Sequence, residues 1–591
     1  MSIGTNRPQP MPTTAARRPI MSQATRRVDT GDVTITWLNP AVHTVLAWSG
    51  DGPGWFRALD ATGAPIADPR HLPDTATAVA HHEQHDRPRW ILADTAGDYP
   101  PLLDRGVRLG RVHDLALTEA ILLAAEGNGG QPADVAAAHA RLHGEPIPAT
   151  PAHHPSRQAT LFDTDPPVDG PHQLAVRVEL FADQQRRIAA LGPRIRHLVA
   201  AESAGGLVAA EMTHNGLPWN SDRHDAILTQ LIGPRPVKGL RPKKLQDLAT
   251  RIGEAFGHRL NPDSPQQLIA AFHAAGHPVA TTRARELRTI DHPAVEPLLR
   301  YKELSRIHSA HGWNWAREWI SDGPAGPGSP ARRFRPRYVV GGVVTGRWAT
   351  DGGAALQIPR AIRAAVAADP GWALVVADAA QLEPRILAGM SADPAMLAAT
   401  TGPDMYAALA PTFGGSRDDA KIALLSAMYG GTAGNATALL TVLRRRFPHA
   451  HALVETAART GERGGLVHTW LGRTCPPADE RWWNALSGPN GTRTARDRGR
   501  FTRNFVVQGT AAEWALAMMA LLRNRLYDRD LGHLVFFQHD EIILHCPADR
   551  AAEAARLVQA AADDATALLF GGIGLHIPLT AMVVDNYAEA K

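Results

Sequence analysis

Hydrophobic positions along the chain fall into short dense runs and longer helical repeats, and their order predicts several structural units in succession. Val33–Trp37, Val42–Trp48 and Trp90–Ala93 are short apolar runs punctuated by Gly and Pro, which predicts strands. Val112–Glu126 and Ala133–His143 carry helical patterning, so residues 30–143 form a small α/β domain. From 144 to 175 the composition shifts to Pro, His, Thr and Asp, the mark of a linker or surface insertion. Helical periodicity returns over Leu180–Gly192 and Pro193–His214, breaks at Gly216–Asn220, and continues in a mainly helical unit over 221–330. A helical basic cluster there, Arg235, Lys238, Arg241, Lys243 and Lys244, is a solvated face or a phosphate contact. Residues 395–495 read as helices with a Gly/Arg-rich turn near 461–473, and 500–530 as another long helix.

Two dense runs stand apart because each ends on acids. In Leu374–Arg385, LVVADAAQLEPR, an apolar strand stops at Asp378, which then sits at the rim of a sheet facing a cleft. In Leu534–Cys546, LVFFQHDEIILHC, two apolar runs flank Gln-His-Asp-Glu, the pattern of a tight hairpin with Asp540 and Glu541 at its tip. Taken singly, each acid is equally a helix cap or a surface residue. Two aspartates facing one cleft repel each other unless a cation lies between them. Oxygen ligands without Cys or His spacing favour Mg²⁺ over Zn²⁺. Two such ions about 3.5–4 Å apart serve phosphoryl transfer. Between the runs, Arg417, Lys421, Leu425 and Tyr429 recur every four residues and form one slanted helical stripe, about 18 Å long at 1.5 Å rise per residue. Its cationic end lies near the helix N-terminus, where the dipole also favours phosphate. Such a stripe is commonly an ordinary amphipathic face. With the acid motifs on either side it forms a nucleoside-triphosphate clamp.

Composition narrows the class. A chain of 591 residues exceeds one core, and 44% hydrophobic content without a bilayer-length apolar run predicts a globular protein and no membrane partner. The net charge of +4 confines any nucleic-acid surface to local clusters of Arg and Lys. Two cysteines, Cys475 and Cys546, give neither a disulfide framework nor metal-ligand spacing and fit a reducing compartment. Residues 1–29, rich in Thr, Pro and Arg, lack the apolar core of a secretory signal and read as a disordered tail or an early start, with Met11 and Met21 as alternatives.

The three chemical segments resemble, in order, the polymerase motifs of family-A DNA polymerases, the bacterial polymerase I type. They are Asp-x-x-Gln-x-Glu-x-Arg from Asp378, Arg-x3-Lys-x7-Tyr-Gly from Arg417, and His539-Asp540-Glu541 between strands. Thr345-Gly346-Arg347 with Leu356-Gln357-Ile358-Pro359 is similar to the family's primer-binding loop, without the Asn usual after that Gln. Gly465-Leu-Val with Gly472-Arg473 is similar to a finger segment, and Arg500, Asn504 and Gln508–Ala512 to the helix before the hairpin. Tyr301–Leu304 and Asn261, Ser264, Gln267 and Leu268 resemble the thumb. The resemblance covers about residues 175–591.

It implies an α/β and α+β multidomain fold: a small exonuclease-like α/β domain followed by a right-hand polymerase. The divisions are a connection into the palm at 176–220, thumb 221–330, palm 331–394, fingers 395–495 and palm again 496–591. It also implies two Mg²⁺ ions, with Mn²⁺ as a substitute, on Asp378, Asp540 and the Ala379 carbonyl. Catalysis falls to Asp378, Asp540, Lys421 as proton donor to pyrophosphate, and Glu541 in support. Nucleotide contacts fall to Arg417, Lys421, Leu425, Tyr429, Gln381, Tyr406 and Glu383, the last filling the place of a ribose 2′-hydroxyl. DNA contacts fall to Thr345, Arg347, Gln357, Arg500, Asn504, Gln508 and His539, with Arg347 and Gln508 in the minor groove at the primer end.

Departures define what is particular to this chain. Leu425 replaces an aromatic residue, Tyr406 replaces a histidine, Ala379 and Ala380 replace bulkier residues, and the fingers between Tyr429 and Gly465 are short. The early Asp-x-Glu of a proofreading exonuclease is missing from residues 33–60, and no Tyr-x3-Asp follows His113-Asp114-Leu115-Ala116, so an inactive exonuclease fold is expected. No stretch is left for a 5′-nuclease domain. Gln158-Ala-Thr-Leu161-Phe162 resembles the peptide that docks on the bacterial sliding clamp, or else tacks the linker to its own protein. The expected function is template-directed addition of deoxynucleotides to a primer in repair or gap filling, without proofreading, by a monomer at the nucleoid in the cytoplasm. Two readings stay open beside it: a non-catalytic DNA-binding scaffold and a related single-subunit RNA polymerase.

Overall fold

The computed structural model describes residues 29–30, 33–34, 43–48, 52–60, 62–148, 170–322, 332–351, 357–430 and 436–590. Gln158, Leu161 and Phe162 lie outside the described residues, as do the first 28 and most of the predicted Val33–Trp37 strand.

Among the described residues, the N-terminal domain carries a five-stranded sheet with helices packed on it, beside a short antiparallel pair of Asp29–Thr30 with Val33–Thr34. The strands of the sheet are β1 (His43–Trp48), β2 (Gly54–Leu59), β3 (Arg70–Leu72), β4 (Arg89–Leu92) and β5 (Arg111–Asp114), in spatial order β3-β2-β1-β4-β5. The β1–β2 and β2–β3 pairs are antiparallel, while β1–β4 and β4–β5 are parallel. Helix α1 (Thr75–His85) makes the crossover between β3 and β4. Helices α2 (Leu115–Ala125) and α3 (Val135–His143) follow β5. The predicted helix from Val112 is therefore corrected: Arg111–Asp114 is a strand, and Asp114 caps α2 by accepting from Leu117 N. Strand and helix abut there without punctuation, so periodicity alone merges them. β2 and β3 had no clear apolar signature because their side chains are mostly half-buried or exposed.

Two long helices carry the chain into the second half. α4 (Gly170–Leu191) starts ten residues before the predicted Leu180, inside the expected linker, and α5 (Pro193–Asn215) begins on a proline, which the first helical turn tolerates. α5 is the spine of the molecule. A Cβ on Gly205 would come within 2.6 Å of Leu516, and one on Gly206 within 2.9 Å of Thr95, so the paired glycines let the helix touch both halves. Further along α5, Glu211 accepts from Tyr99 Oη at 2.6 Å, Arg108 at 2.8 Å and Arg523 at 2.6 Å. Burial would raise the Glu211 carboxyl, but Arg523 and Arg108 overcome it and hold it down to about 2.

Residues 221–319 are mainly helical and pack around Trp219, Leu228, Ile252, Phe272, Tyr301 and Trp315. The basic cluster is corrected in part: Arg235, Lys238 and Arg241 lie between helices, and only Lys243 and Lys244 open one (Lys243–Phe256).

The second sheet contains β6 (Trp372–Ala379), β7 (His533–Gln538), β8 (Glu541–Pro547) and β9 (Leu579–Val584), all antiparallel, in order β7-β8-β6-β9. Both of its faces are covered, which explains why β6 reads as a continuous apolar run. Ala373, Val375, Ala377 and Ala379 face one core, and Leu374 and Val376 the other. Around it lie α6 (Leu382–Ser391), α7 (Arg417–Tyr429), α8 (Pro448–Glu462), α9 (Gly491–Asp528) and α10 (Ala551–Phe570). α9 begins nine residues before the predicted 500, because its Arg-rich first turns lack apolar periodicity. It also contains an 18-residue window apolar enough to cross a bilayer by length and composition alone. That window is 78% buried in the protein, so its apolar character is accounted for by core packing.

Candidate active site

The rim of the second sheet brings the predicted acids together. Asp378 pairs directly with Glu541 across β6 and β8, and Ala379 N donates to Asp540 O at 3.0 Å. The hairpin turn is two residues, His539 and Asp540, rather than four: Gln538 and Glu541 already pair in the ladder. His539 takes φ +58°, the left-handed conformation a two-residue turn demands. Glu541 is buried and accepts from Tyr587 Oη, whose ring lies under the Arg363 guanidinium at 4.2 Å. Burial and the Glu541 carboxylate push the Tyr587 phenol up, so it stays a donor. Like charges directly opposite on adjacent strands repel. The oxygen-only donor set of Asp378, Asp540 and Glu541 suits hard divalent ions, and the residues present fit such a group.

Past the strand, Gln381 takes φ +50° and turns the chain into α6. Its side chain reaches Asp404 at 3.2 Å and Met405 N at 2.9 Å. Sequence reasoning assigned no role to Arg385. It is fully buried and donates to the carbonyls of Ala380, Thr400, Gly402, Pro403 and His576 at 2.6–3.0 Å. A lone guanidinium so placed fixes the loop carrying Asp404 to the turn after Asp378. The spaced Gln and Arg of the motif were the available signal.

α7 is capped by Ser416 Oγ, which accepts from Asp419 N at 3.3 Å. Arg417 donates to Asp404 at 2.7 Å and lies over the Tyr406 ring at 5.5 Å. Tyr406 is buried and serves as Arg417's platform; burial, then Glu383, push its phenol up to about 12. Lys421 is exposed and forms no ion pair among the described residues. Leu425 is half-buried and packs against the main core. Tyr429, at the far end of the stripe, donates to Glu383, and Arg347 pairs with the same carboxylate. Burial and Glu383 push the Tyr429 phenol up to about 12, while a hydrogen bond with Gln508 opposes them. A cleft of about 450 Å³ is lined by Arg347, Glu383, Tyr429, Gln538, His539 and Asp540 among others, so residues of all three motifs share one space.

The remaining predicted DNA contacts are more scattered. Thr345 is buried with its hydroxyl unpartnered, Gln357 is exposed, and Arg500 pairs with Asp497 beside Gly430. Asn504 is half-buried with Oδ1 unpartnered. Arg473, expected in the fingers, pairs with buried Glu202 of α5 at 2.6 Å, directly under Gly346.

In the N-terminal sheet the acids are bound up locally. Asp114 Oδ2 accepts from Thr95 N at 2.7 Å and Thr95 Oγ1 at 2.6 Å, while Oδ1 accepts from Leu117 N at 2.8 Å. Burial nonetheless raises its carboxyl to about 6. His113 is buried against Gln184 at 2.9 Å, and burial lowers it to about 4.

Comparison with known proteins agrees with this geometry. The sequence profile of DNA polymerase family A matches residues 239–584. DNA polymerase I of Chloroflexus aurantiacus is 27% identical over 361 residues, 54% of this chain and 36% of that protein. The thermostable DNA polymerase I of Thermus filiformis is 28% identical over 363 residues, 55% of this chain and 42% of that protein. The chain thus spans less than half the length of these curated relatives. The fold is similar to that of the POL domain of Pol1 from M. smegmatis, solved in complex with DNA primer-template and dNTP. The TM-score is 0.67 at 18% identity, over 93% of this chain and 95% of that one. With the family's pattern running through more than half its length, and its motifs converging on one cleft, this chain belongs to DNA polymerase family A.

Proposed function

We propose that the protein is a DNA-directed DNA polymerase that extends a primer 3′ end with deoxynucleoside triphosphates. The observation that carries this is the shared cleft, where Asp540 and His539 of the hairpin, Glu383 after β6 and Tyr429 of α7 meet. Asp378, Asp540 and the Ala379 carbonyl would hold two Mg²⁺, or Mn²⁺, which when bound supply activation of the primer 3′-hydroxyl and charge neutralisation on the triphosphate. Glu541, held by Tyr587, stands opposite Asp378 and supports the metal site from the neighbouring strand. Arg417 and Lys421 bind the phosphates, and exposed Lys421 donates a proton to the departing pyrophosphate. Glu383, fixed from both sides by Tyr429 and Arg347, fills the space a ribose 2′-hydroxyl requires. Gln381 and Tyr406 position Arg417 through Asp404 and ring contact, and Leu425 lines the sugar side of the stripe. Arg347 and Gln508 read the minor groove at the primer end. Thr345, Gln357, Arg500, Asn504 and His539 hold the duplex, with His539 at the primer terminus.

The N-terminal domain is structural in this reading, and the enzyme works as a monomer in gap filling or repair at the nucleoid. Docking on a sliding clamp through Gln158, Leu161 and Phe162 is a separate proposal. A clamp pull-down unaffected by Leu161→Ala with Phe162→Ala would remove it.

Primer extension on a primed template, with Asp378→Ala as control, tests the main proposal. Wild type is expected to extend with deoxynucleotides in preference to ribonucleotides, and the variant to lose at least about 1,000-fold in rate. A wild-type chain that binds primed DNA without extending it would favour the scaffold reading. Preference for ribonucleotides would favour an RNA polymerase.

A further inference from the structure

Three side chains of the N-terminal domain form a cluster that neither its core nor the cleft uses. His139 and His143 lie four residues apart on α3 and so share one face of that helix. Both present Nε2 to the carboxylate of Glu179 on α4, at 3.6 Å from His139 and 3.2 Å from His143. The two imidazoles face each other with centroids 4.5 Å apart, and the three ligating atoms all lie within 4.8 Å of one another. His143 Nε2 stands 3.2 Å from one Glu179 oxygen and 3.3 Å from the other. Shared between the two oxygens, the contact lies at the long end of N–H···O hydrogen-bond distances. The spacing suits a shared ion better: tetrahedral bonds of about 2.0–2.1 Å place neighbouring ligand atoms about 3.4 Å apart.

The surroundings supply the rest of a site. A cavity of about 520 Å³ opens beside His139, walled also by Glu145, His172 and Val176. His172, Val176 and Glu179 follow each other at spacings of four and three, so they share one face of α4. There is room on that side for a water or a fourth ligand. Arg141 and Arg177, the nearby cations, are already paired with Glu119 and Asp98.

We propose that His139, His143 and Glu179 bind one divalent transition ion of the Zn²⁺ class, with its fourth position towards the cavity. Two imidazoles and a carboxylate suit Zn²⁺, whereas the oxygen-only acids of the cleft suit Mg²⁺, so the two sites select different ions. The ion links α3 to α4, the helices on either side of residues 144–169, and acts as a staple of the N-terminal domain.

The test uses the full, tag-free, metal-stripped chain in excess Mg²⁺, which occupies the carboxylates of the cleft. Co²⁺ titration is followed by its visible absorption, Zn²⁺ is used to displace it, and melting is compared with and without Zn²⁺. Wild type is expected to bind one Co²⁺ with the intense bands of a tetrahedral nitrogen-ligated site and to melt higher with Zn²⁺. His143→Ala and Glu179→Gln should each weaken binding at least about 100-fold and abolish the Zn²⁺-dependent rise. Both side chains are exposed, so the metal-free variants should melt as the wild type does. Zn²⁺ binding that survives both substitutions, or a wild-type chain without the tetrahedral cobalt spectrum, overturns the proposal.

Discussion

The second sheet, the expected palm, and the N-terminal sheet both deliver aspartates near strand ends: Asp378 and Asp540 in one, Asp94 and Asp114 in the other, with Asp98 closing the short helix that follows β4. In the N-terminal sheet each acid has donors of its own domain within reach. Gly97 N takes Asp94, Ala93 N and Arg177 take Asp98, and Thr95 with Leu117 takes Asp114. In the palm, the hairpin turn and the Asp378–Glu541 pairing gather three carboxylates at one rim, with Tyr587 supplying a donor to Glu541. A strand-end acid that stands by itself serves as a cap, whereas acids brought side by side at one rim form a candidate ligand set. The same contrast sets what should break each region.

The largest difference should appear in Asp540→Ala, where primer extension is expected to fall at least about 1,000-fold with unchanged melting. In the same variant, 3′-labelled primer incubated with Mg²⁺ and no nucleotides should stay intact. Shortening that survives this substitution would mean the N-terminal acids still work as a nuclease. Asp114→Ala should do the reverse, leaving extension per folded molecule unaltered. It strands buried Thr95 N and half-buried Leu117 N, at a stability loss of about 2–4 kcal/mol in urea titration.

The pH response sharpens this further. Asp114 is raised from an ordinary 3.8 to about 6, so the folded domain holds a proton that the unfolded chain releases. Its contribution is complete below 3.8 and is lost as pH rises through about 6. Asp114→Asn should flatten that slope, measured by denaturation at several pH values. On the palm side, Tyr587→Phe removes the donor to Glu541 and should lower kcat about tenfold with the nucleotide KM held; an unchanged kcat would make that hydrogen bond incidental. The smallest effect is expected from Leu425→Phe. Because Leu425 already packs on the core, the change should shift the dideoxy-to-deoxy incorporation ratio by less than the roughly tenfold expected for Tyr587→Phe. Identical ratios would show that this position does not meet the sugar.

Much of the palm was legible because its chemistry is local in sequence. A strand that stops on Asp378, a four-residue stripe from Arg417 to Tyr429 and a hairpin around Asp540 each declare themselves within about a dozen residues. Errors came where one element runs into the next. Asp114 ends β5 and caps α2 in the same residue, and the polar first turns of α9 carry no apolar rhythm. The supports of the site were not legible, because their partners lie far apart along the chain. Arg385 holds a carbonyl at 576, Tyr587 holds Glu541, and Arg473 pairs with Glu202 across 271 positions.

By itself the sequence determined which residue types stand at which spacing, and through helical and strand periodicity which of them share a face. That sufficed for two strand ends bearing aspartates and a cationic helix stripe. Tertiary structure alone decided which donors reach which carboxylate. Glu383 is held between Arg347 and Tyr429, and Asp114 is consumed by Thr95 and Leu117. The physical reason is range: periodicity follows from neighbouring backbone geometry, whereas a hydrogen bond needs two groups brought within about 3 Å, and only the packed fold brings distant residues that close.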